Sequence, residues 1–178
     1  AARGHVEVVR FLLHEGADAD KTTTNGATAL LLAAGQSHLD VVKVLLQYTA
    51  DIDKAMADGN TPLIMAALRG GHVVVRLLLE AGADKDKANM DHTTPLSVAA
   101  RQGHVDVVRL LLQEGADKNR AKTDGVTPLI EAASQGHGET VRLLLQKGAD
   151  KDKASLDGRT PVSVAVQHGH LEVANMLT

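Results

Sequence analysis

The chain has 178 residues, 44% of them hydrophobic, with a formal net charge of −3 and a pI near 6.3. That apolar content excludes generic disorder, and a balance with no Lys/Arg run and only Phe11 and Tyr48 as aromatics excludes the basic stripe and base-stacking set of a nucleic-acid surface. There is no cysteine, hence no disulfide, thiolate zinc site or cysteine nucleophile; this fits an intracellular, cytoplasmic setting, and the longest apolar run, Ala29 to Ala34, is far too short for membrane insertion.

A unit of 33 residues recurs from end to end. Thr28-Ala29-Leu30, Thr61-Pro62-Leu63, Thr94-Pro95-Leu96, Thr127-Pro128-Leu129 and Thr160-Pro161-Val162 are evenly spaced. Ala-Asp pairs keep the same interval at Ala17-Asp18, Ala50-Asp51, Ala83-Asp84, Ala116-Asp117 and Ala149-Asp150. A fixed period in this range marks one supersecondary unit stacked on itself. The frame divides residues 1–178 into a partial repeat 1–22, full repeats 23–55, 56–88, 89–121 and 122–154, and a partial repeat 155–178. Because both ends fall inside repeats, the sequence reads as one segment of a longer array. Its exposed end units, with Val8, Val9, Phe11 and Leu12 at one end and Leu171, Val173, Met176 and Leu177 at the other, are expected to fray or to associate end to end.

Within repeat 56–88 the elements follow in order. Asp58-Gly59-Asn60 is a turn signal, Thr61 a good N-cap, and Pro62 suits the first helical position, where no N–H is needed. A short helix follows with Leu63, Ala66 and Ala67 on one face; Gly70-Gly71 breaks it. A second helix is expected from about Val73 to Ala81. Leu77, Leu78 and Leu79 span about 200° of it, so neighbours on two sides are implied. Gly82 supplies a left-handed stop, and the polar stretch from Asp84 to Thr93 reads as a hairpin-like finger reaching the next unit.

The residues Asp124-Gly125-Val126-Thr127-Pro128-Leu129, Ala132-Ala133, Gly136-His137, Val141, Leu143-Leu144-Leu145 and Gly148-Ala149-Asp150, with near-matching copies elsewhere, resemble the ankyrin repeat. The resemblance covers essentially the whole chain. It implies an all-α repeat, an α-solenoid: a stack of helix-turn-helix units joined by β-hairpin-like finger loops. It also implies a non-enzymatic scaffold that binds another protein through finger tips and inner helices. Several slots depart from the family pattern. Leu31, Ile64, Ser97, Ile130 and Ser163 stand where it usually has His, so apolar packing is expected to replace that side chain's hydrogen bonds. Thr49 takes a stop-glycine slot, His92 a turn-glycine slot, and Ser37 the Gly of a Gly-His pair; Gly71 and His72 sit one place late.

His5, His38, His104, His137 and His170 share one slot, which points to a structural role, a hydrogen bond across the helix–helix turn, since a catalytic residue has no reason to recur once per repeat. No calcium, phosphate or dinucleotide loop is complete, and no cofactor is expected. The Asp20-Lys21, Asp53-Lys54, Asp86-Lys87, Asn119-Arg120 and Asp152-Lys153 ladder reads as a solvated finger base.

Slots that vary inside the fixed frame are the candidates for partner contact. At the finger tips these include Met56, Asn60, Met90, Thr93, Lys122, Val126, Leu156 and Arg159; at the first-helix ends Leu68, Arg69, Arg101, Gln102 and Gln135; before a helix stop, Tyr48. An apolar centre around Met56, Leu68 and Met90, flanked by Arg69 and Arg101, is the expected focus. Two other readings stay open: a structural spacer within a larger protein, and an engineered ankyrin-type binder, against which the irregular slots argue.

Overall fold

The structure is a computed structural model and describes every residue except Thr49, so that residue's expected glycine-like conformation lies outside the described residues. Eleven helices and no strands occur among the described residues. They are α1 (Val6–His14), α2 (Ala29–Gly35), α3 (Leu39–Gln47), α4 (Pro62–Leu68), α5 (His72–Glu80), α6 (Pro95–Gln102), α7 (Val105–Gln113), α8 (Pro128–Ser134), α9 (Gly138–Gln146), α10 (Pro161–Gln167) and α11 (Leu171–Leu177). First helices pack on first helices, α2 through α4, α6 and α8 to α10; second helices form a parallel row from α1 to α11.

Local chemistry starts each first helix. The hydroxyls of Thr28, Thr61, Thr94, Thr127 and Thr160 accept from the N–H groups of Leu31, Ile64, Ser97, Ile130 and Ser163. Each such cap contributes about 1 kcal/mol. Pro opens α4, α6, α8 and α10. The alanine pairs Ala33-Ala34, Ala66-Ala67, Ala99-Ala100 and Ala132-Ala133 are wholly buried, and their small side chains let the inner row approach closely. Leu45, Leu78, Leu111 and Leu144, one per second helix, are also wholly buried, each stabilising by roughly 1.5–3 kcal/mol. Leu77 and Leu79 flank Leu78 half-buried against the same core, which is the two-sided packing the leucine run implied.

Neighbouring repeats are stitched at three levels, of which one revises the sequence reading and one extends it. The imidazole Nε2 of His38, His104, His137 and His170 lies 3.0–3.2 Å from the backbone carbonyl oxygens of Ala2, Leu68, Arg101 and Ser134. These bonds reach the preceding repeat rather than spanning the histidine's own turn, because the ring lies over the glycine at the end of the previous first helix. The acidic ladder is solvated, as its charges implied, and is also a backbone stitch. Side chains of Asp20, Asp53, Asp86 and Asn119 accept from the N–H groups of Asp51, Asp84, Asp117 and Asp150, and the Nζ atoms of Lys54, Lys87 and Lys153 donate at 3.0 Å to the carbonyls of Asp20, Asp53 and Asn119. At the tips each finger closes on itself, as in Met56 N–H to Asn60 C=O, and donates once to the finger before, as in Met90 N–H to Asp58 C=O at 3.1 Å.

One seam differs. Gly70, not Gly71, takes the left-handed turn at φ 71°, so the second helix is not displaced; Gly71 stands in the histidine slot, and His72 begins α5. Ser37 keeps the left-handed turn of the preceding unit at φ 57°. A Cβ on Gly4, Gly70, Gly103 or Gly136 would lie 2.6–3.0 Å from the next histidine's Nδ1. Ser37 has that Cβ, and the residue it faces is Gly71, whose own Cβ would lie 2.6 Å from Ser37 Oγ. The two irregularities are one compensated pair, and the seam between repeats 23–55 and 56–88 has no histidine tie.

Candidate interaction surface

Fingers and first helices face each other across an open groove of about 500 Å³ in the middle of the stack. Its helix side is built by Ile64, Met65 and Leu68 of α4 and Val98 and Arg101 of α6; its finger side by Asn60, Asn89, Asp91, Thr93, Lys122, Thr123 and Asp124. The histidine stitch positions it, since the carbonyls of Leu68 and Arg101 are those held by His104 and His137. Asn89 donates its amide to Asn60 Oδ1 at 3.1 Å, and Asn60 donates to Asp58 at 2.7 Å. Both asparagines are thus committed to shaping the finger wall.

Arg101, Lys122 and Asp124 also line an adjoining hollow of about 200 Å³, with Glu131 on its floor. Glu131 is 8% exposed. Lys122 Nζ donates to its Oε1 at 3.1 Å, and Arg101 Nε stands 3.9 Å from Oε2. The slot it fills holds Leu32, Met65, Val98 and Val164 in the other repeats. A lone acid in an apolar row was the signal that could have revealed it. With Lys122 only 19% exposed, the pair is largely withdrawn from water, and its desolvation offsets much of the Coulomb attraction.

Of the residues singled out by sequence, Asn60, Leu68, Thr93, Arg101 and Lys122 meet in the groove. Val126 is a correction: at 8% exposure it belongs to the core, having only its edge on the smaller hollow. Its slot holds Ala27, Asn60, Thr93 and Arg159 in the other repeats, running from buried to exposed, so variation there does not mark a free surface. Arg159 lies at the far end of that hollow, held to Asp157 at 2.7 Å. Met56 and Met90 do not line the groove with Leu68, and they occupy different slots: Met56 corresponds to Asn89 and Lys122, Met90 to Thr123 and Leu156. Met90 and Leu156 project from finger tips, 72% and 81% exposed. Arg69, Gln102 and Gln135 are exposed at the first-helix ends. Tyr48 caps the end of α3, half-buried on the core and away from the groove. A second, shallower groove of about 360 Å³ lies between α3 and α5, lined by Lys43, Leu46, Gln47, Leu77, Glu80 and Ala81.

The family model for ankyrin repeats (three copies) matches at residues 1–89, 54–122, 82–155 and 119–178, which together span the chain. The chain belongs to the ankyrin repeat family. No curated protein sequence matches it. Ankyrin repeats are generally protein–protein interaction modules and generally non-enzymatic, and the paired-helix stack described above is their architecture. No helix among the described residues is long and apolar enough to cross a membrane.

Proposed function

We propose that the chain is a non-enzymatic scaffold that binds a partner protein through the concave groove between fingers and first helices. One observation carries this reading. The groove combines stitches that recur from repeat to repeat with lining side chains, Leu68, Thr93 and Arg101, that do not. Packing sets the former and leaves the latter to a partner. Arg69, Gln102 and Gln135 extend the surface along the helix ends, and Met90 and Leu156 along the tips. The test is a photo-crosslinking amino acid placed at Thr93, in the groove, or at Gln47, in the outer groove, followed by exposure to a cell lysate. Adducts specific to position 93 support the proposal; adducts specific to position 47 move the site to the second helices.

A further inference from the structure

The groove has two walls of opposite sign. On the finger side Asp91 and Asp124 are exposed; on the helix side Arg101 is, with a side chain 58% accessible. Lys122 turns its ammonium onto buried Glu131 at 3.1 Å and also stands 3.7 Å from Asp124 Oδ2, so it partly neutralises Asp124 and leaves Asp91 as the acid of the finger wall with no side-chain partner among the described residues. Arg101 meets Glu131 only through Nε, at 3.9 Å, and its terminal nitrogens have no hydrogen-bond partner among the described residues. Met65 and Leu68 lie half-buried on the helix wall, one repeat along from Arg101. The groove therefore offers an acid on one wall and an apolar patch beside a base on the other.

On the reading of this groove as the partner site, we infer that its occupant is a short segment of a partner protein that carries an acidic, an apolar and a basic residue together. The apolar group seats on Met65 and Leu68, the acid pairs with Arg101, and the base pairs with Asp91. Opposed potentials of this kind fix the register of a ligand and reject segments of a single sign, whose wrong half meets like charge. The groove's volume falls within the range of ordinary ligand clefts, of which ~300–1,000 Å³ is typical. Its open form suits a peptide laid across it rather than an enclosed small molecule.

The experiment is selection from a random dodecapeptide library on the native protein, on Arg101→Gln, and on Asp91→Asn. Native protein should enrich peptides carrying acid, apolar and basic residues together. Arg101→Gln should lose the acidic preference and keep the basic one; the aspartate variant should do the reverse. For a selected peptide, replacing its acid by the amide should weaken binding to native protein about tenfold and binding to Arg101→Gln hardly at all. Where a variant proves unstable, that peptide substitution on native protein carries the test. Charge-blind apolar peptides, or peptides of one sign, overturn the inference while leaving a groove that binds peptides. No enrichment on any of the three proteins overturns the groove reading itself.

Discussion

Restoring the missing histidine tie should stabilise the seam between repeats 23–55 and 56–88, but only if both partners change. Gly71→His alone places an imidazole where Ser37 stands, since a Cβ at the equivalent glycines would lie 2.6–3.0 Å from the ring. That single variant should be no more stable than the native chain. Ser37→Gly alone relieves a left-handed residue at φ 57°, a gain of about 1–2 kcal/mol, offset by about 0.5–1 kcal/mol of added chain freedom in the unfolded state. In the double variant the ring is free to reach the Gly35 carbonyl. The hydrogen bond adds about 1 kcal/mol, and loss of glycine's freedom at a position with φ −72°, open to any residue, adds about 0.5–1 kcal/mol. The double variant should gain about 2 kcal/mol in all, with a coupling of at least about 1 kcal/mol between the two sites. Urea unfolding of the four proteins measures the total. Hydrogen exchange of the α3 and α5 amides reads the seam itself, which matters because repeat arrays need not unfold in one step. Additivity within about 0.5 kcal/mol would refute the claim that Ser37 and Gly71 compensate each other.

Two buried hydroxyls lack a partner among the described residues, Thr140 Oγ1 and Ser97 Oγ. Thr140 fills a slot held by Val41, Val74, Val107 and Val173, so Thr140→Val should stabilise by about 1 kcal/mol; Ser97→Ile, copying Ile64 and Ile130, should do at least as well in thermal unfolding. Glu131→Met should destabilise by about 1 kcal/mol or more because Lys122 loses its nearer, buried partner and keeps only the longer pair with Asp124, and Glu131→Met/Lys122→Met should recover most of that in denaturant titration, since an apolar pair replaces a desolvated ionic one. Asp157 accepts from the Ser155 hydroxyl and from the N–H and guanidinium of Arg159, which holds its carboxyl below the ordinary aspartate value. Its small contribution to stability is therefore complete above the unfolded-state pKa and lost as pH falls through the lower folded one; carboxyl NMR should show its midpoint below that of a peptide aspartate, and Ser155→Ala should raise it.

The framework was legible because each of its positions answers to its own unit. A Thr-Pro pair caps and starts a helix wherever it stands, a glycine stops one, and five copies make the period unmistakable. The groove was partly legible for a related reason: Leu68 and Arg101 break the sameness of a slot that packing leaves open. Four features were hidden. The histidine tie and the Ser37–Gly71 pair join residues 36 and 34 apart in chain position, so reading each unit by itself placed the bond in the wrong turn and took a compensated pair for two slips. Val126 misled because its slot runs from buried Ala27 to exposed Arg159, so variation there does not mark a free surface. Glu131 was passed over because Ile130 and Ala132-Ala133 around it are core residues, although an acid at that place is what draws Lys122 inward.

The central claim is that the concave groove, and not the second-helix face, takes the partner. Pull-down with quantitative mass spectrometry should compare the native chain with two variants of equal thermal stability: Leu68→Ala/Thr93→Ala/Arg101→Ala in the groove, and Lys43→Ala/Gln47→Ala/Glu80→Ala on the outer face. The account predicts a protein captured by the native chain and the outer-face variant but lost from the groove variant. A protein lost from the outer-face variant and retained by the groove variant would contradict it.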